Sequence, residues 1–150
     1  MKQIVTVDPG ASGGIAYADV GGTVNVIKMP KTITDLVCMF KETCDANSLV
    51  IIEKVGGYMP GNSGPASVKF ARHCGHIEAV CAALGLQTDF VSPQKWMKKL
   101  AALPKDKKER KNKIKEIVQL YYPHIKVTLW NADCLGMMKV FNNQTNDKLV

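Results

Sequence analysis

The sequence predicts a single α/β domain built on a mixed, mostly parallel sheet with helices on its faces. Three strand patterns joined by short turns come first, helix and strand patterns alternate after them, and two strand patterns end in an acidic residue. The length of 150 residues suits one domain of ordinary size. With 46% hydrophobic and 22% charged residues, the chain can form a core, and this excludes a disordered or fibrous composition.

The first three strands are predicted to form an antiparallel meander. Residues 3–8 are mostly β-branched and end at Asp8, before a Pro-Gly turn. Residues 13–18 form the second strand pattern. After the Gly-Gly hairpin pattern at 21–22, residues 23–29 alternate as the third strand.

Helices and strands alternate through the rest of the chain. Continuous apolar residues predict a central strand buried on both faces, while Gly and Pro mark where helices end or begin. In order, the predicted elements are a helix from Thr32 or Thr34 to about Cys44, a strand over 49–53, a glycine-rich loop over 55–65, a helix over about 66–84, a strand over 86–91, a helix from Pro93 to Lys99, a polar connection over 101–108, a basic helix from about Lys107 to Tyr122 and a last helix from Trp130 or Asn131 to about Phe141. The domain is predicted to span 1–141, followed by a polar tail over 142–150.

Positive charge is concentrated in one segment of the chain. The net charge is +7. Between Lys95 and Lys115 there are ten basic residues, opposed only by Asp106 and Glu109, while the rest of the chain is close to neutral. Such a segment is typical of a surface that binds a polyanion, although a solvated helix face would have the same composition.

Cysteine usage and hydropathy point to a cytoplasmic protein. The five cysteines are an odd number without a C-x-x-C pair, which favours reduced thiols. No stretch reaches the roughly 18 apolar residues that a membrane span needs. We therefore expect a cytoplasmic location and no membrane partner.

Three acidic residues are the candidate functional groups. Asp8 and Glu53 end two apolar strands, so they would lie at one edge of the sheet if those strands are neighbours. Asp133 lies near the start of the last helix, where the small residues Ala132 and Gly136 would allow close approach to a strand. Three carboxylates without a histidine favour Mg²⁺ or Mn²⁺ over Zn²⁺, and two such ions can hydrolyse a phosphodiester.

Each acid also has a purely structural interpretation. Asp8 could initiate the turn that follows it, Glu53 could pair with Lys54 or another lysine, and Asp133 could be a first-turn acid favoured by the helix dipole. His73, Cys74 and His76 form a further cluster, but they lack matching ligands elsewhere for a zinc site.

Several motifs, in order and spanning about residues 4–140, resemble those of RuvC-like Holliday junction resolvases, in their phage-type branch. The first is Ile-Val-Thr-Val-Asp-Pro-Gly-Ala-Ser-Gly-Gly-Ile-Ala at residues 4–16. The others are Val-Ile-Ile-Glu-Lys-Val at 50–55, Pro-Gly-Asn-Ser-Gly-Pro-Ala-Ser at 60–67 followed by Phe-Ala-Arg at 70–72 and Gly75, Val-Ser-Pro-Gln-Lys-Trp at 91–96, Tyr-Pro at 122–123 and Asn-Ala-Asp-Cys-Leu-Gly at 131–136.

This resemblance implies a ribonuclease H-like fold, with strand order 3-2-1-4-5 and strand 2 antiparallel. It also implies a homodimeric endonuclease that resolves four-way or otherwise branched DNA by symmetric nicking, in recombination, repair or phage DNA processing in a bacterial or phage-infected cell. Asp8, Glu53 and Asp133 would bind two Mg²⁺ ions, for which Mn²⁺ may substitute. Lys98 and Lys111 are the two candidates for the family's basic active-site residue.

The predicted DNA contacts are lysines of the basic segment and one aromatic residue of the glycine-rich loop. They are Tyr58, Lys95, Lys98, Lys99, Lys105, Lys107, Lys108 and Lys111. One position departs from the family pattern, because Trp130 stands where many relatives carry a fourth acid, and Asn131 is then the alternative ligand. Two other functions stay open: a ribonuclease H-like nuclease acting on flaps or RNA, and a junction-binding module without catalysis.

Overall fold

A computed structural model describes residues 2–56 and 61–146, with side chains to 142. The strands are β1 (Ile4–Asp8), β2 (Gly14–Ala18), β3 (Val24–Lys28), β4 (Leu49–Glu53) and β5 (Gln87–Val91). The helices are α1 (Ile33–Thr43), α2 (Gly64–Ala83), α3 (Pro93–Leu100), α4 (Lys107–Tyr121) and α5 (Ala132–Asn146).

The five strands form one mixed sheet in the order β3-β2-β1-β4-β5. β2 is antiparallel to β1 and β3, whereas β4 is parallel to both β1 and β5. The predicted fold class and strand order are confirmed. Because β1 and β4 are parallel neighbours with Val7 opposite Ile52, their last residues Asp8 and Glu53 lie side by side at one sheet edge.

The side-chain alternation of the central strands builds two core layers. Val5 and Val7 of β1 point to the face that α1 and α2 cover, together with Phe40 and Ile77. Ile4 points to the opposite face of the sheet, which α3, α4 and α5 cover. Because side chains alternate along a strand, Asp8 points to the same face as Ile4. Among the described residues, no helix is long and apolar enough to cross a membrane.

Helix α5 is held tightly against β1 and α3. The buried Thr6 hydroxyl donates to the Cys134 carbonyl at 2.6 Å, which joins β1 to the first turn of α5. A Cβ at Gly136 would come within 2.8 Å of the Trp96 ring, so glycine permits this contact. Gly136 thus allows α5 to approach α3, and not a strand as the sequence suggested.

Two helix ends differ from the sequence-based expectation. α5 continues to Asn146, into the segment predicted as a polar tail. α2 begins at Gly64, because the Ser63 side chain accepts from the Ala66 amide and Pro65 occupies the first turn. The first half of α2 also lies off the core, since no side chain over 61–76 is fully buried.

Candidate active site at the carboxyl end of the sheet

Three elements bring Asp8, Glu53 and Asp133 to one crevice. Asp8 and Glu53 come from the adjacent ends of β1 and β4, and their side chains point to the face covered by α3 to α5. Asp133 comes from the first turn of α5, directly before the residue whose carbonyl is bonded to Thr6. The three acids, far apart in the sequence, therefore lie close enough for the charges of Asp133 and Glu53 to act on Asp8.

Burial acts on all three carboxyls, and repulsion by neighbouring acids adds to it at Asp8 and Glu53. Burial, then the nearby charges of Asp133 and Glu53, raises the pKa of Asp8 to about 8. Burial and, to a smaller extent, the charge of Asp133 raise the pKa of Glu53 to about 7, against the lowering effect of its hydrogen bond to Trp96. Burial also raises the pKa of Asp133 above its ordinary value. Without a bound cation, the three carboxyls are therefore difficult to ionise together near neutral pH.

Glu53 has one strong partner, and the partner is not a lysine. The Trp96 indole Nε1 donates to Glu53 Oε2 at 2.5 Å, and this bond favours the ionised carboxyl. Lys54 instead lies with its ammonium 5.6 Å from the centre of the Phe90 ring. The predicted alternative of a Glu53–Lys54 pair is thus not what the structure shows. Sequence reasoning missed Trp96 as a site residue, because a buried tryptophan on an apolar helix face resembles any core residue.

Two basic residues of α4 face the acids. The charge of Lys111 lowers the pKa of both Asp8 and Asp133, and that of Arg110 lowers the pKa of Asp133. Of the two candidate lysines, Lys111 is the one near the acids. Lys98 lines a neighbouring cavity together with Lys105 and Arg110. Arg110 was missed as a site residue because a helix so rich in lysine does not reveal which cation faces the crevice.

The donor set suits a hard divalent cation, since it consists of buried carboxylate oxygens that repel one another. In the described part of the chain, no three acidic, histidine or cysteine side chains are grouped closely enough to hold an ion as they stand. That includes the cluster around His73 and Cys74. One Glu53 oxygen is directed to Trp96, so a complete ligand set needs side-chain rotation in the crevice.

Neither Trp130 nor Asn131 replaces the fourth acid. Asn131 is buried, its Oδ1 accepts from the Thr128 amide at 2.8 Å, and its Nδ2 donates to the Lys126 carbonyl at 3.1 Å. Its amide thus stabilises the turn before α5. The Trp130 ring packs against Gly14, where an added Cβ would be only 2.9 Å from it. The Lys28 ammonium lies over the same ring.

The remaining predicted DNA contacts in the described part of the chain are exposed lysines of α3, α4 and the connection between them. Lys95, Lys98 and Lys99 belong to α3, Lys105 to the connection, and Lys107 and Lys108 to α4, and all six side chains are exposed. Tyr58 lies outside the described residues. We refer to these six lysines with Arg110 and Lys111 as the basic surface.

Two solved structures of Thermus thermophilus RuvC match the chain over nearly its whole length. One is RuvC in complex with a Holliday junction substrate, with 13% identity, a TM-score of 0.64 and coverage of 96% of both chains. The other has 14% identity, a TM-score of 0.61 and coverage of 95% of this chain and 96% of that one. The chain has a RuvC-like fold.

The RuvC-like fold is evident in the structure rather than in the overall sequence. No protein-family model matches the chain, and no curated protein matches it either. Short motifs at the strand ends and at the start of α5 were therefore more informative than overall identity.

Replacing Trp96 by phenylalanine tests its influence on Glu53. Loss of the indole donor should raise the pKa of Glu53 above about 7, so any activity that needs ionised Glu53 shifts to higher pH. We expect such an activity to fall about tenfold at pH 7 and to recover partly at pH 9. A pH–rate profile measures this. Trp130→Phe is the control, and equal profiles for both variants would contradict the assignment.

Proposed function

We propose that this protein is a divalent-metal-dependent endonuclease that nicks branched DNA, with four-way junctions as its main substrate. The observation that carries the proposal is the crevice where Asp133 and Glu53 raise the pKa of Asp8, and Asp133 that of Glu53, beside Lys111 and Arg110. A carboxylate crevice flanked by cations suits a reaction at a phosphate. The RuvC-like fold supports it.

Asp8, Glu53 and Asp133 would hold the metal, proposed as two Mg²⁺ ions with Mn²⁺ as a substitute. When bound, such ions polarise the phosphate and favour deprotonation of the attacking water. The chain's own residues do the rest. Trp96 favours the ionised form of Glu53 and fixes its orientation, while Lys111 and Arg110 attract the phosphate and offset the negative charge that increases during attack. The products would carry 5′-phosphate and 3′-hydroxyl ends.

The basic surface would hold the DNA backbone. It runs from the crevice at Arg110 along the cavity that Lys98 and Lys105 line, so a strand whose phosphate lies at the acids can continue over α3 and α4. Contacts of this kind neutralise phosphates without reading bases. Selectivity for branched DNA would then come from the spacing of two active sites.

We propose a homodimer because symmetric nicking of a four-way junction needs two active sites. Val68 of α2, which is 61% exposed, and Phe90 of the edge strand β5, which is 39% exposed, offer apolar surface outside the core. A second copy of the chain is the proposed occupant. Sedimentation velocity measures the oligomeric state, and a monomer at all concentrations would contradict the dimer.

The deciding experiment compares four substrates under one condition with Mg²⁺. We expect a four-way junction to be nicked at symmetric positions, and duplex, flap and RNA substrates to be cut at least about tenfold more slowly. Preferential cleavage of flaps or RNA would indicate a nuclease of different target. Junction binding without nicking at any pH would indicate a binding module.

Replacing Lys107, Lys108 and Lys111 by glutamine tests the basic surface. Junction affinity should fall, and the magnitude of the slope of log K against log salt should fall by about 2–3, because each phosphate contact contributes about 0.9. Fluorescence anisotropy at several salt concentrations measures both. Lys41→Gln, an exposed site on α1, is the control. An unchanged slope in the triple variant would exclude these lysines from the interface.

A further inference from the structure

A cavity lies next to the β1–β2 turn that follows Asp8, on the face of the sheet that α1 and α2 cover. Its volume is about 520 Å³, and it is lined by the β1–β2 turn, the segment before α1 and the first half of α2. Gly10, two residues after Asp8, forms part of its wall. The cavity is therefore close to the acids in the fold although it shares no residue with the site described above.

The charge lining this cavity is entirely positive. Lys31 and Lys69 are exposed and line it, and no acidic side chain does so among the described residues. Neither lysine forms an ion pair within the part of the chain that the structure describes. Two ammonium groups around one cavity without a carboxylate favour an anionic ligand.

Phe70 and His73 give the cavity an apolar wall with one polar group. Phe70 lies against the β1–β2 turn, since a Cβ on Gly10 would be 3.5 Å from its ring. The φ of Gly10 is +115°, a conformation that favours glycine. His73 Nε2 is buried, and no group in the described ranges forms a hydrogen bond with it. A buried polar atom of this kind is costly unless a ligand or water satisfies it.

The combination fits a ligand larger than an ion. A phosphate alone would occupy a small part of about 520 Å³ and would not use an aromatic ring. A nucleotide presents a phosphate for the lysines, a flat base for Phe70 and polar base edges for His73. The adjacent nucleotides of the same DNA strand would then lie across the β1–β2 turn, toward Asp8.

We propose that this cavity binds one unpaired nucleotide of the DNA substrate, with its phosphate at Lys31 and Lys69 and its base between Phe70 and His73. This inference rests on the proposed function and specifies how the strand is held beside the cleaved phosphate. It also gives the enzyme contact with a base, which the basic surface does not provide.

The direct test needs no cleavage. The imidazole NMR signals of the three histidines are followed while a deoxynucleoside 5′-monophosphate, inorganic phosphate or the deoxynucleoside is added. We expect the His73 signals to shift with the monophosphate, saturating at about millimolar concentration, and to shift less with either part alone. The His124 ring, bonded to the Val24 carbonyl, should not respond.

Variants assign each part of the ligand. Lys31→Gln with Lys69→Gln should weaken monophosphate binding about tenfold, and Phe70→Leu should remove the advantage of the monophosphate over inorganic phosphate. Lys41→Gln is the matched control. Equal responses to monophosphate and inorganic phosphate, or no response of His73, would overturn the proposal.

A cleavage assay separates this inference from the proposed function. Junctions with a single abasic position are compared, one position at a time near the nick. We expect one position to reduce cleavage about tenfold in the wild type and much less in Phe70→Leu. Normal nicking with no sensitive position would overturn the cavity proposal alone. Nucleotide binding without any nicking would overturn the nuclease proposal alone.

Discussion

Asp8→Asn is expected to abolish DNA cleavage while junction binding stays equal or becomes tighter. Asp8 is in the middle of the carboxylate crevice, where its charge interacts with those of both Asp133 and Glu53. The amide has the same shape but weakens metal binding, so we expect a loss of at least about a thousandfold in nicking rate. Removing one negative charge also reduces repulsion of the phosphate. Nicking and electrophoretic mobility assays measure the two quantities.

The matched control for Asp8→Asn is Asp89→Asn. Asp89 is an exposed residue of β5, and its Oδ1 accepts from the Phe90 amide, a role that asparagine retains. This variant should cleave normally. Loss of junction binding in Asp8→Asn, or cleavage above a few per cent of wild type, would contradict the role given to Asp8.

Without metal, the protein is expected to lose stability as pH rises from about 4 to 8. The folded-state pKa of Asp8 is about 8 against an ordinary 3.8, and that of Glu53 is about 7 against 4.5. Within this window the folded state binds more protons than the unfolded state, so the free energy of unfolding decreases with pH. Burial lowers the pKa of His73, which gives a smaller opposite slope near pH 6.

Because each pKa unit corresponds to about 1.4 kcal/mol, Tm in EDTA should fall by about 10 °C or more between pH 5 and pH 8. Mg²⁺ at pH 8 should restore most of this loss by binding only the folded, ionised crevice. Asp8→Asn should be more stable than the wild type at pH 8 in EDTA and respond less to Mg²⁺. Differential scanning fluorimetry provides all these values. A Tm that is constant over this pH range would contradict the raised pKa values of Asp8 and Glu53.

The sheet was predictable because its strands carry strong local patterns. β1 and β4 are short apolar runs ending in an acid, and the β2–β3 hairpin has glycines at its turn. The pairing of β1 with β4 was not readable from local pattern and followed from the resemblance. That pairing is what joins Asp8 to Glu53.

The parts that could not be predicted depend on tertiary contacts. Trp96 lies on the apolar face of α3 and resembles any core residue in sequence, although its indole bonds to Glu53. The end of α5 has polar residues without helical periodicity, so its continuation to Asn146 was not evident. Arg110 and Lys111 differ from the other cations of α4 in acting on Asp133, which the sequence of a lysine-rich helix does not reveal.

The most direct test of the account is a crystal structure of the protein soaked in Mn²⁺ and recorded with anomalous scattering. We expect Mn²⁺ density among the carboxylate oxygens of Asp8, Glu53 and Asp133, with side-chain rotation completing the ligand set. We expect no such density in Asp8→Asn. Ordered crystals with an empty crevice, or Mn²⁺ bound only elsewhere, would contradict it.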